Sequence, residues 1–201
     1  MLLAAIGIGA VAGATLLPRL REQGVNVIQR DGSGLLRVGD AVLALSDGRM
    51  ACQRAREDGL RNLILLDLAH DYRSAKRIAI SHAAGIDPLA LEQGVALLQR
   101  AGLTVSLLSD SPALAVLRTV AMLANEAADA LLQGVASAAD IDLAMRAGVN
   151  YPLGPLAWAD AIGLAHVVKT LDNLQASYGE ERYRPSLLLR RRLAEGSTLH
   201  A

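Results

Sequence analysis

Apolar residues follow two different patterns along the chain, one in each half. In the first 110 residues, short apolar runs are bounded by glycine and polar residues, which is typical of buried strands, and helical segments lie between them. We predict strands over residues 2–8, 25–29, 40–46, 62–67, 77–81 and 104–108, and helices that end at Gln23, Asp58 and Arg100. The alternation of strand and helix predicts an α/β domain with a mostly parallel sheet.

Beyond Ser111 the pattern is helical, and no strand is predicted. Residues 112–133 carry apolar side chains at a spacing of three and four residues, which is typical of a helix with one buried face. Further helices are predicted to start near Ser137, Pro155, Gly163 and Pro185. We therefore predict an abridged Rossmann-like α/β domain over residues 1–110 and an all-α domain over residues 111–201.

The α/β domain is expected to be abridged because one stretch is too short. A complete dinucleotide-binding fold contains two βαβαβ halves. The residues between Asp31 and Val42 are too few to hold the third strand and the helix that would follow it.

A glycine turn follows the first predicted strand. Gly7, Gly9 and Ala12 form the pattern GxGxxA between a strand and a helix, which is the context in which such a turn holds a pyrophosphate. Asp31 follows the second strand, where an acidic residue binds the ribose hydroxyls. We predict Gly7, Gly9 and Asp31 as cofactor-binding residues. The alternative is a glycine-rich α/β turn that binds nothing.

Composition excludes several classes of function. The chain of 201 residues has 20 basic and 20 acidic side chains, so no basic surface for nucleic acid is indicated. Aromatic residues make up 2% of the chain and Phe is absent, which disfavours base stacking. The single Cys excludes an internal disulfide and a thiol-based zinc cluster, and no metal site is predicted.

Two charged or apolar runs have alternative interpretations. The apolar segment 1–17 has no Lys or Arg before Arg19 and is shorter than a membrane span, so we predict neither a secretory signal nor a membrane partner. The three consecutive arginines Arg190 to Arg192 are interpreted as a solvated helix end, which the helix dipole favours. The alternative for these arginines is a contact with a CoA phosphate.

Isolated polar residues offer no complete catalytic set. Cys52 has no nearby His in sequence and is interpreted as a half-buried filler in a helix. His70 and Asp71 follow a strand at its carboxyl end, where α/β sites gather, but no third partner is visible. Asn125 and Glu126 are expected to pack or to form hydrogen bonds between subunits rather than to take part in chemistry.

The segment from Asp110 to Leu164 closely resembles the carboxyl-terminal helical domain of the 3-hydroxyacyl-CoA dehydrogenases. The motifs QGVASAADID, YPLGP and RYRPSLLLRR occur in the order seen in that family, and NLILLD and the glycine turn resemble remnants of its NAD-binding domain. The likeness is strongest to the second half of long bacterial members associated with phenylacetate breakdown. These members carry a complete module followed by a degenerate second copy. The resemblance therefore implies a role in fatty acid or aromatic acid catabolism.

The family's catalytic residues have no counterparts here. The resemblance implies a His base in a motif similar to HFFNP, a Glu that orients it, and an Asn in a VNR triplet. A chain without Phe cannot contain that His motif, the strand over residues 77–81 has no acidic residue, and the triplet is Val116-Leu117-Arg118. His82 is the only superficial candidate for the base and is too close to Asp110 in sequence. We predict no catalytic residue in this chain.

Two interpretations of function remain. In the first, the chain is a family protein that contributes to NAD-linked oxidation of a 3-hydroxyacyl-CoA to a 3-oxoacyl-CoA only with a complete NAD-binding half, fused or separate. In the second, it is a non-catalytic dimerisation or acyl-CoA-binding module. The resemblance implies NAD as cofactor, acyl-CoA as ligand, a homodimer formed through the helical domain, and a cytoplasmic location.

Overall fold

The structure is a computed structural model that describes residues 2–6, 11–30 and 34–201. The chain divides into two compact units, Met1–Val116 and Leu117–Ala201. The domain boundary that the sequence predicts near Asp110 remains a prediction.

The first unit is built on one sheet, in which the described residues form seven strands in the order β2-β1-β3-β4-β5-β6-β7. The strands are β1 Leu2–Ile6, β2 Asn26–Arg30, β3 Leu35–Val38, β4 Ala41–Leu45, β5 Leu63–Leu66, β6 Arg77–His82 and β7 Thr104–Leu107. Three helices accompany them: α1 Val11–Glu22, α2 Ala51–Glu57 and α3 Pro88–Arg100. The predicted α/β class is confirmed.

The prediction of a mostly parallel sheet is wrong, because the described sheet is mixed. The pairs β1–β2, β4–β5 and β6–β7 are parallel, and a helix lies between the two strands of each pair in sequence. The pairs β1–β3, β3–β4 and β5–β6 are antiparallel. Gly39 and Asp40 close the β3–β4 hairpin, with Val38 opposite Ala41, and residues 67–76 are too few for a crossover helix between β5 and β6.

Both faces of the sheet are covered by helices. Ile64 and Leu66 of β5 belong to a core shared with α1 and α3, whereas Leu63 and Leu65 belong to a second core that includes Ala51 of α2. This double burial explains why the segment NLILLD is apolar throughout. Each fully buried leucine contributes about 1.5–3 kcal/mol to the stability of the unit.

The second unit consists of helices over the described residues 117–201. They are α4 Val116–Leu132, α5 Ala138–Val149, α6 Pro155–Ile162, α7 Leu164–Tyr178 and α8 Leu187–Glu195, with a 3-10 turn at Glu181–Tyr183 before α8. The small side chains of α4 at Ala121, Ala124 and Ala128 are fully buried against residues of α6, α7 and α8. The prediction that this half is all-helical is confirmed.

Helix α4 begins four residues later than the apolar spacing predicts. Ala113 and Leu114 have φ angles of +58° and +53°, so the backbone there turns in the left-handed region and cannot continue a helix. Leu114 packs in the core of the first unit together with Leu65 and Ala51, although it matches the spacing of the helix. In the described residues, no helix has the length and apolar character needed to cross a membrane.

Candidate functional site

The carboxyl ends of four strands meet at one edge of the sheet. The strands β1, β2, β4 and β5 run in the same direction, whereas β3, β6 and β7 run in the opposite direction. Ile6, at the end of β1, is paired with Arg30, at the end of β2. In open α/β sheets, ligands bind at this carboxyl edge.

The predicted cofactor-binding residues Gly7, Gly9 and Asp31 lie outside the described residues. The structure does describe the neighbouring elements β1, α1 and β2. Parallel strands β1 and β2 are joined by α1, and the predicted residues follow the two strands in the sequence. Their assignment therefore remains a prediction.

Asp47 follows β4 and Asp67 follows β5 at the carboxyl edge of the sheet. One of these carboxylates binds backbone N–H groups, and the other binds a neighbouring arginine. Asp67 is fully buried, and its carboxylate accepts hydrogen bonds from the backbone N–H groups of Leu68 (2.8 Å), Ala115 (3.0 Å) and Val116 (2.8 Å). Asp47 is also buried and pairs with Arg49 at 2.8 Å. These contacts give both carboxylates a structural role.

A charged cluster around Arg49 ties α2 to the end of β4. Arg49 also binds Asp58 at 2.9 Å, and hydrogen bonding to Arg49 holds the pKa of Asp58 below its usual value. Arg54 donates to the backbone carbonyl of Leu45 at 2.7 Å. The cluster anchors α2 and does not form a set of groups directed at a ligand.

His82 lies at the opposite edge of the sheet from Asp67. It is the last residue of β6, which runs antiparallel to β5, and it is paired with Ile64 near the start of β5. Its Nδ1 lies 3.0 Å from the carbonyl oxygen of Ala83. In the part of the chain that the structure describes, no carboxylate lies within hydrogen-bond distance of His82, so nothing orients it as a general base.

The sulfur of Cys52 is not arranged as a nucleophile. Cys52 is exposed, so the expectation that it is half-buried is wrong. It lies in the first turn of α2, where the carboxylate of Asp110 accepts hydrogen bonds from the N–H groups of Ala51 (2.6 Å) and Cys52 (2.9 Å). A hydrogen bond to Asp110 raises the pKa of the Cys52 thiol, which disfavours the reactive thiolate.

His70 and Asp71 belong to a local turn. Asp71 accepts hydrogen bonds from the hydroxyl of Ser74 (2.6 Å) and the N–H of Arg73 (2.9 Å), and the bond from Ser74 lowers the pKa of Asp71. Both residues of the pair are at or near the surface. These hydrogen bonds give Asp71 a structural role in the turn.

In the helical unit, Leu117 occupies the position where the resemblance implies an Asn, and it is fully buried. The next residue, Arg118, stacks over the rings of Tyr178 and Tyr183 at 4.7 and 5.3 Å and donates to both hydroxyls. The two tyrosines stack on each other with ring centroids 5.2 Å apart. This cluster joins α4 to α7 and to the 3-10 turn.

Asn125 holds the RYRPS segment against α4. Its Nδ2 donates to the carbonyl of Arg184 (2.9 Å), and its Oδ1 accepts from the N–H of Ser186 (2.7 Å). Asn125 is 3% exposed, so its polar atoms depend on these bonds. Both bonds are formed within one chain, and the expected hydrogen bonds between subunits remain a prediction.

A cavity of about 520 Å³ lies in the helical unit, and sequence reasoning missed it because its lining residues lie far apart along the chain. Leu131, Leu188 and Leu199 form part of its wall, and Arg191 and Arg192 lie at the same cavity. Of the described residues, no group of three or more His, Cys, Asp or Glu side chains is arranged to hold a metal ion.

Comparison with known families matches both units. Residues 43–112 match the 3-hydroxybutyryl-CoA dehydrogenase reduced Rossmann-fold domain, and residues 115–199 match the 3-hydroxyacyl-CoA dehydrogenase C-terminal domain. A 3-hydroxyadipyl-CoA dehydrogenase of Escherichia coli is 41% identical over 166 residues, which are 82% of this chain and 34% of that protein. A probable 3-hydroxybutyryl-CoA dehydrogenase of Bacillus subtilis is 36% identical over 119 residues, 59% of this chain and 39% of that protein.

Solved structures give the same picture. The crystal structure of a 3-hydroxybutyryl-CoA dehydrogenase from Escherichia coli matches 81% of this chain and 34% of its own, with 42% identity and a TM-score of 0.74. An (S)-3-hydroxybutyryl-CoA dehydrogenase from Ralstonia eutropha shares the fold over 96% of this chain and 93% of its own, with a TM-score of 0.70 and 18% identity. The chain spans about a third of the length of the curated relatives described above.

Proposed function

Because this chain belongs to the 3-hydroxyacyl-CoA dehydrogenase family, we propose that it contributes to NAD-linked oxidation of a 3-hydroxyacyl-CoA to a 3-oxoacyl-CoA only together with a complete NAD-binding half. The other half is fused to this chain or binds it as a separate protein. The observation that carries the proposal is the buried Leu117 at the position of the family's Asn. His82 supports it, since this residue lies at the amino end of β5, away from the carboxyl edge.

The strand order does not fit a complete NAD site in this chain. A dinucleotide binds across the crevice where the strand order of a parallel sheet reverses, between its first and fourth strands. Here the antiparallel strand β3 is hydrogen-bonded between β1 and β4, so it lies where that crevice would open. We therefore propose that this chain does not carry out hydride transfer by itself.

In the proposed function, Gly7, Gly9 and Asp31 bind only part of the dinucleotide. In the sequence, Gly7 and Gly9 follow β1 and Asp31 follows β2, and the β1–α1–β2 unit is the half of a dinucleotide fold that holds the adenosine diphosphate portion. We propose that these three residues retain weak binding of that portion.

This assignment is tested by calorimetry with NADH and with ADP-ribose. Both ligands are expected to bind with similar, weak affinity, because the nicotinamide adds no contact. Gly9→Val is expected to weaken both at least tenfold, since a side chain there blocks close approach of the pyrophosphate, whereas Gly148→Val in α5 leaves them unchanged. No heat from either ligand at millimolar concentration would remove the assignment.

The proposed function is tested by an assay of NADH formation. The chain alone is expected to form no NADH from 3-hydroxybutyryl-CoA and NAD, because no base is oriented for the hydroxyl proton. When it is fused to the part of the Escherichia coli relative that it does not match, activity is expected to rise at least fivefold above that of the same part alone. NADH formation by the chain alone that is lost in the His82→Ala variant would contradict the proposal, and so would a fusion without any gain.

A second candidate function is a non-catalytic dimerisation or acyl-CoA-binding module. It is favoured by helix α5, which carries apolar side chains at the surface, including Leu143 at 60% and Val149 at 52% exposure. We propose a homodimer formed through this helix and a cytoplasmic location for the chain. The fusion assay separates the two functions, since a pure dimerisation module raises no dehydrogenase activity.

A further inference from the structure

The cavity in the helical unit has an apolar wall. It lies where the end of α4, the start of α5, α8 and residues 199–201 approach one another, and its volume is about 520 Å³. The wall includes Leu131, Leu132, Leu188 and Leu199. The rest of the lining includes serine, arginine and histidine side chains. Cavities of roughly 300–1,000 Å³ that combine apolar walls with polar groups are typical of small-molecule sites.

The charged side chains that line the cavity include two arginines. Arg191 and Arg192 lie at the cavity, and no Asp or Glu is among the described residues that line it. Arg192 donates to the backbone oxygen of Ala201 (3.2 Å) and pairs with Glu195 (3.5 Å). The side chain of Arg191 is exposed and forms no hydrogen bond or ion pair with any residue in the described part of the chain, so its guanidinium is available to an anion.

The neighbouring arginine is engaged elsewhere. Arg190 pairs with Asp172 of α7 at 2.5 Å and does not line the cavity. The run of three arginines therefore divides into one residue that stabilises a contact between helices and two that face the cavity. This division gives a matched pair of positions, Arg190 and Arg191, for a test.

The remaining wall of the cavity is fixed in place. Leu199 is 1% exposed within the core of the helical unit, and its N–H donates to Asp160 at 2.9 Å. The ring of His200 bridges two carboxylates, with Nδ1 2.9 Å from Asp160 and Nε2 3.1 Å from Asp142. Leu199 and His200, which line the cavity, are thus held by three contacts.

We propose that this cavity binds an aliphatic chain that ends in an anionic head group, a carboxylate or a phosphate. The leucines bury the chain, and the planar guanidinium of Arg191 binds either type of head group through two parallel hydrogen bonds. The site goes beyond the proposed function, because it involves neither NAD nor any residue of a dehydrogenase reaction.

The test is calorimetry on the full chain with octanoate, octyl phosphate and octanol. The two anions are expected to bind, and the one that binds more tightly identifies the head group. Octanol is expected to bind at least tenfold more weakly. Arg191→Gln is expected to weaken the anions at least tenfold, whereas Arg190→Gln, which removes the same charge one residue away, leaves them unchanged.

Further ligands and a second variant test the role of the chain. Inorganic phosphate and CoA without an acyl group are expected to bind at least tenfold more weakly than octyl phosphate. Leu132→Glu places a negative charge at the half-exposed edge of the wall and is expected to abolish octanoate binding while the far-UV circular dichroism stays unchanged. Equal binding of octanol and octanoate, equal loss in the two arginine variants, or no heat from any octyl ligand at millimolar concentration would overturn the proposal.

Discussion

Several carboxylates among the described residues accept hydrogen bonds from backbone N–H groups that a helix or turn leaves without a partner, and Asp67, Asp110 and Asp142 each accept two or more. Asp110 does so for the first turn of α2, Asp142 for the N–H groups of Leu156 and Ala157 at the start of α6, and Asp67 for residues 115 and 116. These groups would otherwise be unsatisfied, at a cost of about 1–3 kcal/mol each when buried. At the scale of single residues, acidic side chains in this chain therefore support structure.

The contacts of Asp142 explain why the motif YPLGP has a glycine at position 154. A Cβ atom built on Gly154 would overlap with the side chain of Asp142, whereas one built on Gly148 in α5 would meet no atom within 4 Å. We expect Gly154→Ala to lower the free energy of unfolding by about 2–3 kcal/mol, because Asp142 must move and release the start of α6.

The matched control for this prediction is Gly148→Ala, which is expected to raise stability by up to about 1 kcal/mol, since alanine is favoured inside a helix. Urea denaturation of both variants measures the difference. A Gly154→Ala variant as stable as the parent would show that Asp142 does not need its observed position.

At the scale of elements, the sequence predicts those strands and helices whose residues show a local pattern of burial. Strand β5 was predictable because both of its faces are buried, which makes the run Leu63–Leu66 apolar throughout. Strand β3 was missed because it is short, contains Arg37, and pairs with β1 across about 30 residues of chain. Long-range pairing of this kind leaves no periodic signal in the residues themselves.

The candidate sites also differ in how far local sequence predicts them. The absence of a catalytic set is a prediction from the family resemblance, which implies a His motif that a chain without Phe cannot contain and an Asn at the position of Leu117. The cavity at Arg191 was not predictable, because residues near positions 131, 137, 188 and 199 come together only when the helices pack. The opposite locations of His82 and Asp67 follow from the antiparallel direction of β6, which local pattern does not encode.

At the scale of the whole molecule, the surface of the helical unit leaves one helix sparsely covered. Of the residues in α5, Asp142 is the only one that is buried, and it caps α6. Leu143 is 60% exposed, although the composition of this helix is largely apolar. An apolar helix face of this type is expected to be covered by another copy of the chain.

This expectation is tested by analytical ultracentrifugation. The chain is expected to be a dimer at micromolar concentration, and Leu143→Glu is expected to weaken the dimer at least tenfold, because it buries a charge in the contact. Leu107→Glu, a change at a similarly exposed leucine of the first unit (57%), serves as the control and is expected to leave the dimer intact. A parent chain that sediments as a monomer would exclude this role of α5.

The β3–β4 hairpin also has a consequence for how the first unit folds. A parallel crossover must close a loop of a dozen or more residues before its strands can pair, whereas Val38 and Ala41 are separated by a two-residue turn. Hairpins of this kind form in about 1–10 μs, much faster than pairings between distant segments. The hairpin thus provides an early template in the middle of the sheet, on which β1 and β5 can add from either side.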